Sequence, residues 1–193
     1  MAAKFGKTMI DASLRLLDKL IELLNMRQKN KERYFAAVVE PMFQDAELIV
    51  KDYVTLFGDL IAKLEKGRNV SEVTRWIEER RLSLLPVRIK TRTLLEEGGI
   101  GQSQQMSTFE QGIWGLLKGG LSLVEEGHAP LTEYGFGGHT VLDLLRRCSR
   151  EPLARRRGLL LRCAEAQLAC IQAAWKNTVR GYAEIRNKSH AKA

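Results

Sequence analysis

Cysteine, proline, histidine and aromatic residues are all scarce in this chain, and each scarcity removes a class of protein. Three cysteines, Cys148, Cys163 and Cys170, are too few, and odd in number, for a disulfide scaffold. Four prolines leave long stretches in which a helix can run without a break. Three histidines leave little side-chain acid–base capacity near neutral pH. Aromatics make up 7% of the chain, and none is interleaved with the densest basic segment, as stacking on unpaired bases would require. The longest weakly polar run, Gly112 to Val124, contains Lys118 and falls short of the roughly twenty residues that span a bilayer, so no membrane span is expected. With no charged-then-apolar-then-small leader in view, the expectation is a cytoplasmic protein with free thiols.

What is abundant is Leu, Ala, Glu, Lys and Arg, the strong helix formers. The hydrophobic residues recur with a helical period. Ile10, Leu14, Leu17, Ile21 and Leu24 mark one face of a first helix over about 5–26. A second stripe runs Phe35, Val39, Met42, Ala46, Ile49, Tyr53, Leu56, Leu60 and Leu64. It passes through Pro41 without losing phase, so that proline either kinks the helix or sits in the first turn of a new one. Gly67 should stop the stripe, and Asn69 with Glu72 can form a capping box for the next helix. Pro86 divides the pattern from Val73 to Ile89 into a kinked helix or two shorter ones.

Flexible connections are expected at 97–107 and 127–139, where glycines replace the apolar period. Ser107-Thr108-Phe109-Glu110 has the form of a capping box for a helix carrying Ile113, Leu116 and Leu117. Gly115, Gly119 and Gly120 in that segment read as sites of close helix packing. A short helix over Val141 to Cys148 precedes Pro152. The last helix, about Leu153 to Arg186, puts Leu160, Ala164, Leu168, Ile171, Trp175, Val179, Tyr182 and Ile185 on one face. The fold class expected is therefore all-α: one domain over 1–193, a multi-helix bundle of about six to eight helices, with a long N-terminal helical pair packed lengthwise on a long C-terminal helix. A chain of 193 residues buries roughly 70% of its unfolded surface, enough to need no staple.

The charge is segregated. Residues 146–193 carry twelve Lys/Arg against three acids, net +9, whereas the first 145 are net −1. Seven of the cations, Arg146, Arg147, Arg150, Arg155, Arg156, Arg157 and Arg162, form a block around Pro152 with a single glutamate among them, Glu151. Guanidinium groups bind carboxylates and phosphates bidentately. The block is the candidate binding surface, for an acidic protein partner or nucleic acid; internal pairing to acids such as Glu78, Glu79, Glu96, Glu97, Glu125 or Glu126 is the competing use. The stripe over 32–66 looks too long for one short neighbour to cover, which raises a homodimer through that segment.

Catalytic signatures are thin. His128 and His139 flank the second glycine-rich loop, but a spacing of eleven is not a metal-ligand pattern, and no metal or cofactor is expected. Cys163 and Cys170 lie two helical turns apart and read as small core residues. The C-terminal Arg186-Asn187-Lys188-Ser189-His190 resembles the arginine–polar–histidine signature of HEPN ribonucleases, although only three residues separate the arginine from the histidine, fewer than in that family. The resemblance implies a helical RNA-processing enzyme using Arg180, Arg186 and His190. Against that alternative, the leading expectation is a non-catalytic helical interaction protein that docks through its basic C-terminal region.

Overall fold

In the computed structural model the described residues are 31–80, 84–97, 104–119, 141–148 and 153–190. The expected helix over 5–26 and the loop at 127–139 lie outside them. Every element among the described residues is helical and none is a strand.

The first rod joins α1 (Lys31–Tyr34), a π-helical turn (Phe35–Val39) and α2 (Glu40–Glu65), with right-handed helical backbone angles at both junctions. Pro41 explains the π turn. It has no N–H to return to the carbonyl four residues back, and its ring would press on that carbonyl. Widening the preceding turn relieves the clash, and the Glu40 N–H accordingly reaches back five residues to the Phe35 carbonyl. Pro41 thus sits in the first turn of α2, one of the two places the sequence allowed. The whole expected stripe of α2 is buried: Met42, Ala46, Ile49, Tyr53, Leu56, Leu60 and Leu64. Burial of each leucine stabilises the fold by about 1.5–3 kcal/mol relative to exposure.

That rod ends where Gly67 adopts φ +69°. The Arg68 N–H donates to the Lys63 carbonyl at 3.2 Å and the Gly67 N–H to the Leu64 carbonyl at 3.1 Å, the paired bonds of a Schellman motif. Asn69 then caps α3 (Val70–Arg80), its Oδ1 accepting the Ser71 N–H at 2.8 Å. Arg80 returns to Asp52 at 3.1 Å, so α3 folds back antiparallel along α2. Pro86 sits in the first turn of a separate helix, α4 (Leu85–Glu97). That helix docks on α2 through polar contacts: Lys90 Nζ lies 2.7 Å from Asp45 Oδ2, and the buried Arg88 donates from Nη1 to Tyr53 Oη at 3.1 Å.

Helix α5 (Gln104–Gly119) begins three residues before the capping box the sequence indicates, so Ser107 lies inside the helix. Glutamines are good helix formers, and the buried Phe109, Ile113 and Leu116 anchor the helix from within. After α6 (Val141–Cys148), the last described element is α7 (Leu153–His190), longer by one turn than expected. The rod from 31 to 65 runs antiparallel to α7, with Phe35 and Phe43 against Tyr182 and the Glu65 carbonyl against Arg157.

The most extensive contact of α7 is with α5, not with the first rod. The two helices are too close for ordinary side chains. A Cβ on Gly112 would fall 2.5 Å from the Thr178 nitrogen, one on Gly115 2.8 Å from the Ala174 Cβ, and one on Gly181 2.5 Å from the Phe109 nitrogen. Gly115 therefore serves the close packing expected of it. This approach also rotates the buried face of α7. Cys163, Gln167, Ala174, Thr178 and Gly181 face inward, Leu168, Trp175, Tyr182 and Ile185 are only partly buried, and Val179 is 40% exposed.

The stripe over 32–66 is covered from within: α2 is packed by α3, α4, α5 and α7. The premise for a homodimer there, an apolar face with too little to cover it, is not met. Leu48 and Val54 are the exposed large apolar residues of that segment, about a third of a turn apart around the helix.

Candidate functional site

Helix α6 is amphipathic over only eight residues. Val141, Leu142, Leu145 and Cys148 are buried, which turns Arg147 out to solvent and leaves Arg146 half-buried. Its first turn is secured by a side chain from another helix: the Val141 N–H donates to Oε1 of Gln167, a residue 1% exposed. Arg146 Nε donates to Glu78 Oε1 at 2.8 Å, joining α6 to α3. Glu78 was among the acids the sequence offered as internal partners. Both members of the pair stay partly solvated, so the bridge stabilises the fold by about 1 kcal/mol at most.

Arg157, at the start of α7, has a different internal use. Its Nη2 donates to the backbone carbonyl of Glu65, in the last turn of α2. The terminal carbonyls of a helix lack internal donors and carry its partial negative charge, and a guanidinium answers both. Arg156 and Arg162 are exposed on the same helix. Arg150 lies outside the described residues, as does the side chain of Arg155.

These anchors lie at different heights. Glu78 is two residues before Arg80, which meets Asp52; Arg157 meets Glu65, thirteen residues further along α2. Thirteen residues span about 20 Å of helix. The arginine block is accordingly a flank along the bundle and not a pocket. Lys66 and Arg68, both exposed, belong to its lower end through the turn that follows Glu65. Both sit in a segment that is nearly neutral as a whole, so the charge segregation of the sequence does not include them. Exposed acids are mixed in at Glu65, Glu72, Glu79 and Glu165.

The catalytic alternative finds less. Arg180 Nε is bonded to Glu184 Oε1 at 3.0 Å, one turn on. Arg186 is exposed, and Ser189 returns its hydroxyl to the Arg186 carbonyl at 2.8 Å. Arg186 and His190 are one turn apart on a continuous helix, but Arg180 lies about 120° around the axis from Arg186. The three span about a third of the helix circumference and about 15 Å of its length. The His190 side chain is outside the described residues.

No group of three His, Cys, Asp or Glu residues suited to a metal ion occurs among the described residues; His128 and His139 fall outside them. The cysteines are free thiols. Burial, with a smaller contribution from the negative charge of Asp143, pushes the Cys163 thiol up to about 12, which makes it a poor nucleophile at neutral pH. Burial also raises the Tyr53 phenol, against the lowering influence of Arg88. No helix among the described residues is long and apolar enough to cross a membrane. No protein-family model, curated protein or solved structure matches this chain.

Proposed function

We propose that this chain is a non-catalytic helical docking protein whose basic flank, carried by α6 and the start of α7, receives an acidic protein partner. The observation that carries the reading is the exposure of the arginine block on elements that are fixed in place. Arg146 and Arg157 tie the helices together through Glu78 and the Glu65 carbonyl, while Arg147, Arg156 and Arg162 are exposed on the elements so fixed. Exposed cations on a rigid scaffold favour association through complementary charge.

A protein partner suits this flank better than nucleic acid does. No aromatic residue is interleaved with the arginine block to stack on bases, whereas carboxylates need only its guanidinium groups. The free thiols are in keeping with a reducing compartment, and a cytoplasmic site of action is part of the proposal. Self-association through 32–66 is not, because its apolar stripe is already covered.

The test is the affinity for labelled poly-L-glutamate, by fluorescence anisotropy, of the wild type and of Arg147→Glu/Arg156→Glu/Arg162→Glu. Exposed ion pairs contribute about 0.2–1 kcal/mol each, and reversal adds repulsion, so the triple variant should bind at least about tenfold more weakly. Equal binding would remove the reading. Tight binding to duplex DNA with a steep salt slope, and none to poly-glutamate, would replace the protein partner by nucleic acid.

A further inference from the structure

The turn between α2 and α3 lies far from the arginine block in sequence but next to it in space. Glu65, whose carbonyl accepts Arg157, is followed directly by Lys66, Gly67 and Arg68. The turn's backbone is fixed three ways: by the Arg68 and Gly67 N–H bonds to the Lys63 and Leu64 carbonyls, by the Asn69 side chain on the Ser71 N–H at 2.8 Å, and by Gly67 in its left-handed conformation at φ +69°. Lys66 and Arg68 are exposed, and so is Arg156, beside the anchoring Arg157. Lys63 projects from the last turn of α2, with its Nζ 4.8 Å from the centre of the Trp76 ring.

From this juxtaposition we infer that the α2–α3 turn and the start of α7 form one composite docking site for an acidic protein segment, with Lys66 and Arg68 as binding residues and Arg157 as the positioning residue that joins the two halves. The inference rests on the proposed docking function and deepens it by naming a second half of the surface. Cations rooted on a backbone that is already ordered add no backbone ordering cost to binding and lose only side-chain freedom. The exposed Glu65 and Glu72 border the turn. Between them, the Arg68 and Arg156 guanidinium groups suit the carboxylates of an acidic protein segment.

Three double variants separate the possibilities, each with the same change in net charge: Lys66→Glu/Arg68→Glu in the turn, Arg156→Glu/Arg162→Glu on α7, and Lys176→Glu/Lys188→Glu further along α7 as the control for charge alone. All six positions are exposed, so circular dichroism and urea midpoints should confirm intact folding. The probe is labelled poly-L-glutamate, with duplex DNA as the second ligand. The expected result is a loss of affinity of about tenfold for the turn variant and the α7 variant alike, and less than about threefold for the control. If the turn variant binds like the control while the α7 variant is weakened, the composite site is wrong and the docking function stands. If the α7 variant keeps wild-type affinity, the docking function itself fails. Equal weakening of all three shows net charge and no site, and a preference for duplex DNA over poly-glutamate overturns the choice of partner.

Discussion

Gly112→Ala should destabilise the protein, although alanine is the better helix former. The added methyl would lie 2.5 Å from both the Thr178 nitrogen and Oγ1 and 2.8 Å from its Cα, where carbon contacts ordinarily settle near 3.5–4.0 Å. Helix α7 cannot yield by turning a side chain, because two of those atoms are backbone. It has to withdraw by about 1 Å, loosening the packing around Phe109, Ile113 and Leu116, all fully buried. Overpacking of this kind costs about 1–3 kcal/mol, and more when the neighbour is rigid. Relief of the glycine penalty returns about 1 kcal/mol. The net expectation is a loss of about 2 kcal/mol, or a fall of about 4–8 °C in Tm. Gly58→Ala and Gly158→Ala supply the contrast. Both glycines are exposed in helices with nothing within 4 Å of the added carbon, so both variants should be stabilised, by up to about 1 kcal/mol. Urea unfolding followed by far-UV circular dichroism measures all three. Gly112→Ala as stable as wild type, or shifted in the same direction as Gly58→Ala, would refute the close α5–α7 contact.

Stability should fall at alkaline pH. The Cys163 thiol keeps its proton in the fold up to about 12 but loses it near 9 when unfolded, so unfolding releases a proton between those values and stability declines by about 1.4 kcal/mol per pH unit there. Urea midpoints from pH 8 to 11 should show the decline, and Cys163→Ala should flatten it, leaving the smaller slope from Tyr53, whose phenol is raised in the same direction. Arg157→Ala removes a donor from the last turn of α2 and should lower stability by about 0.5–1.5 kcal/mol in the same urea assay. Purified protein incubated with mixed RNA should leave it intact; cleavage that is lost in His190→Ala would instead establish the nuclease alternative.

Where apolar side chains are large and regularly spaced, the structure was legible from sequence. The stripe from Met42 to Leu64, the glycine stop at residue 67 and the bounds of Val141–Cys148 all follow from periodicity and capping chemistry. The face of α7 follows only in part: Leu160, Ala164 and Ile171 are fully buried as expected, but further along hydrophobicity points to Trp175 and Val179, whereas close approach to α5 demands small residues and selects Ala174, Thr178 and Gly181. Nothing in the sequence marks Gln167, because the Val141 N–H whose bond it accepts is distant in sequence. The arginine block was visible as composition, but its partition was not. Which guanidinium meets Glu78, which meets a helix end, and which are exposed depends on how the helices cross. Lys66 and Arg68 were missed for the same reason, since the contact of the neighbouring Glu65 with Arg157 is a tertiary fact.

The most direct test of the docking function is an equilibrium titration of the wild type and Arg147→Glu/Arg156→Glu/Arg162→Glu with poly-L-glutamate, near physiological salt, beside duplex DNA. Saturable binding of poly-glutamate by the wild type, weakened at least about tenfold in the variant and stronger than binding to the duplex, is the expected result. Binding that is absent in the wild type, or undiminished in the variant, would contradict it.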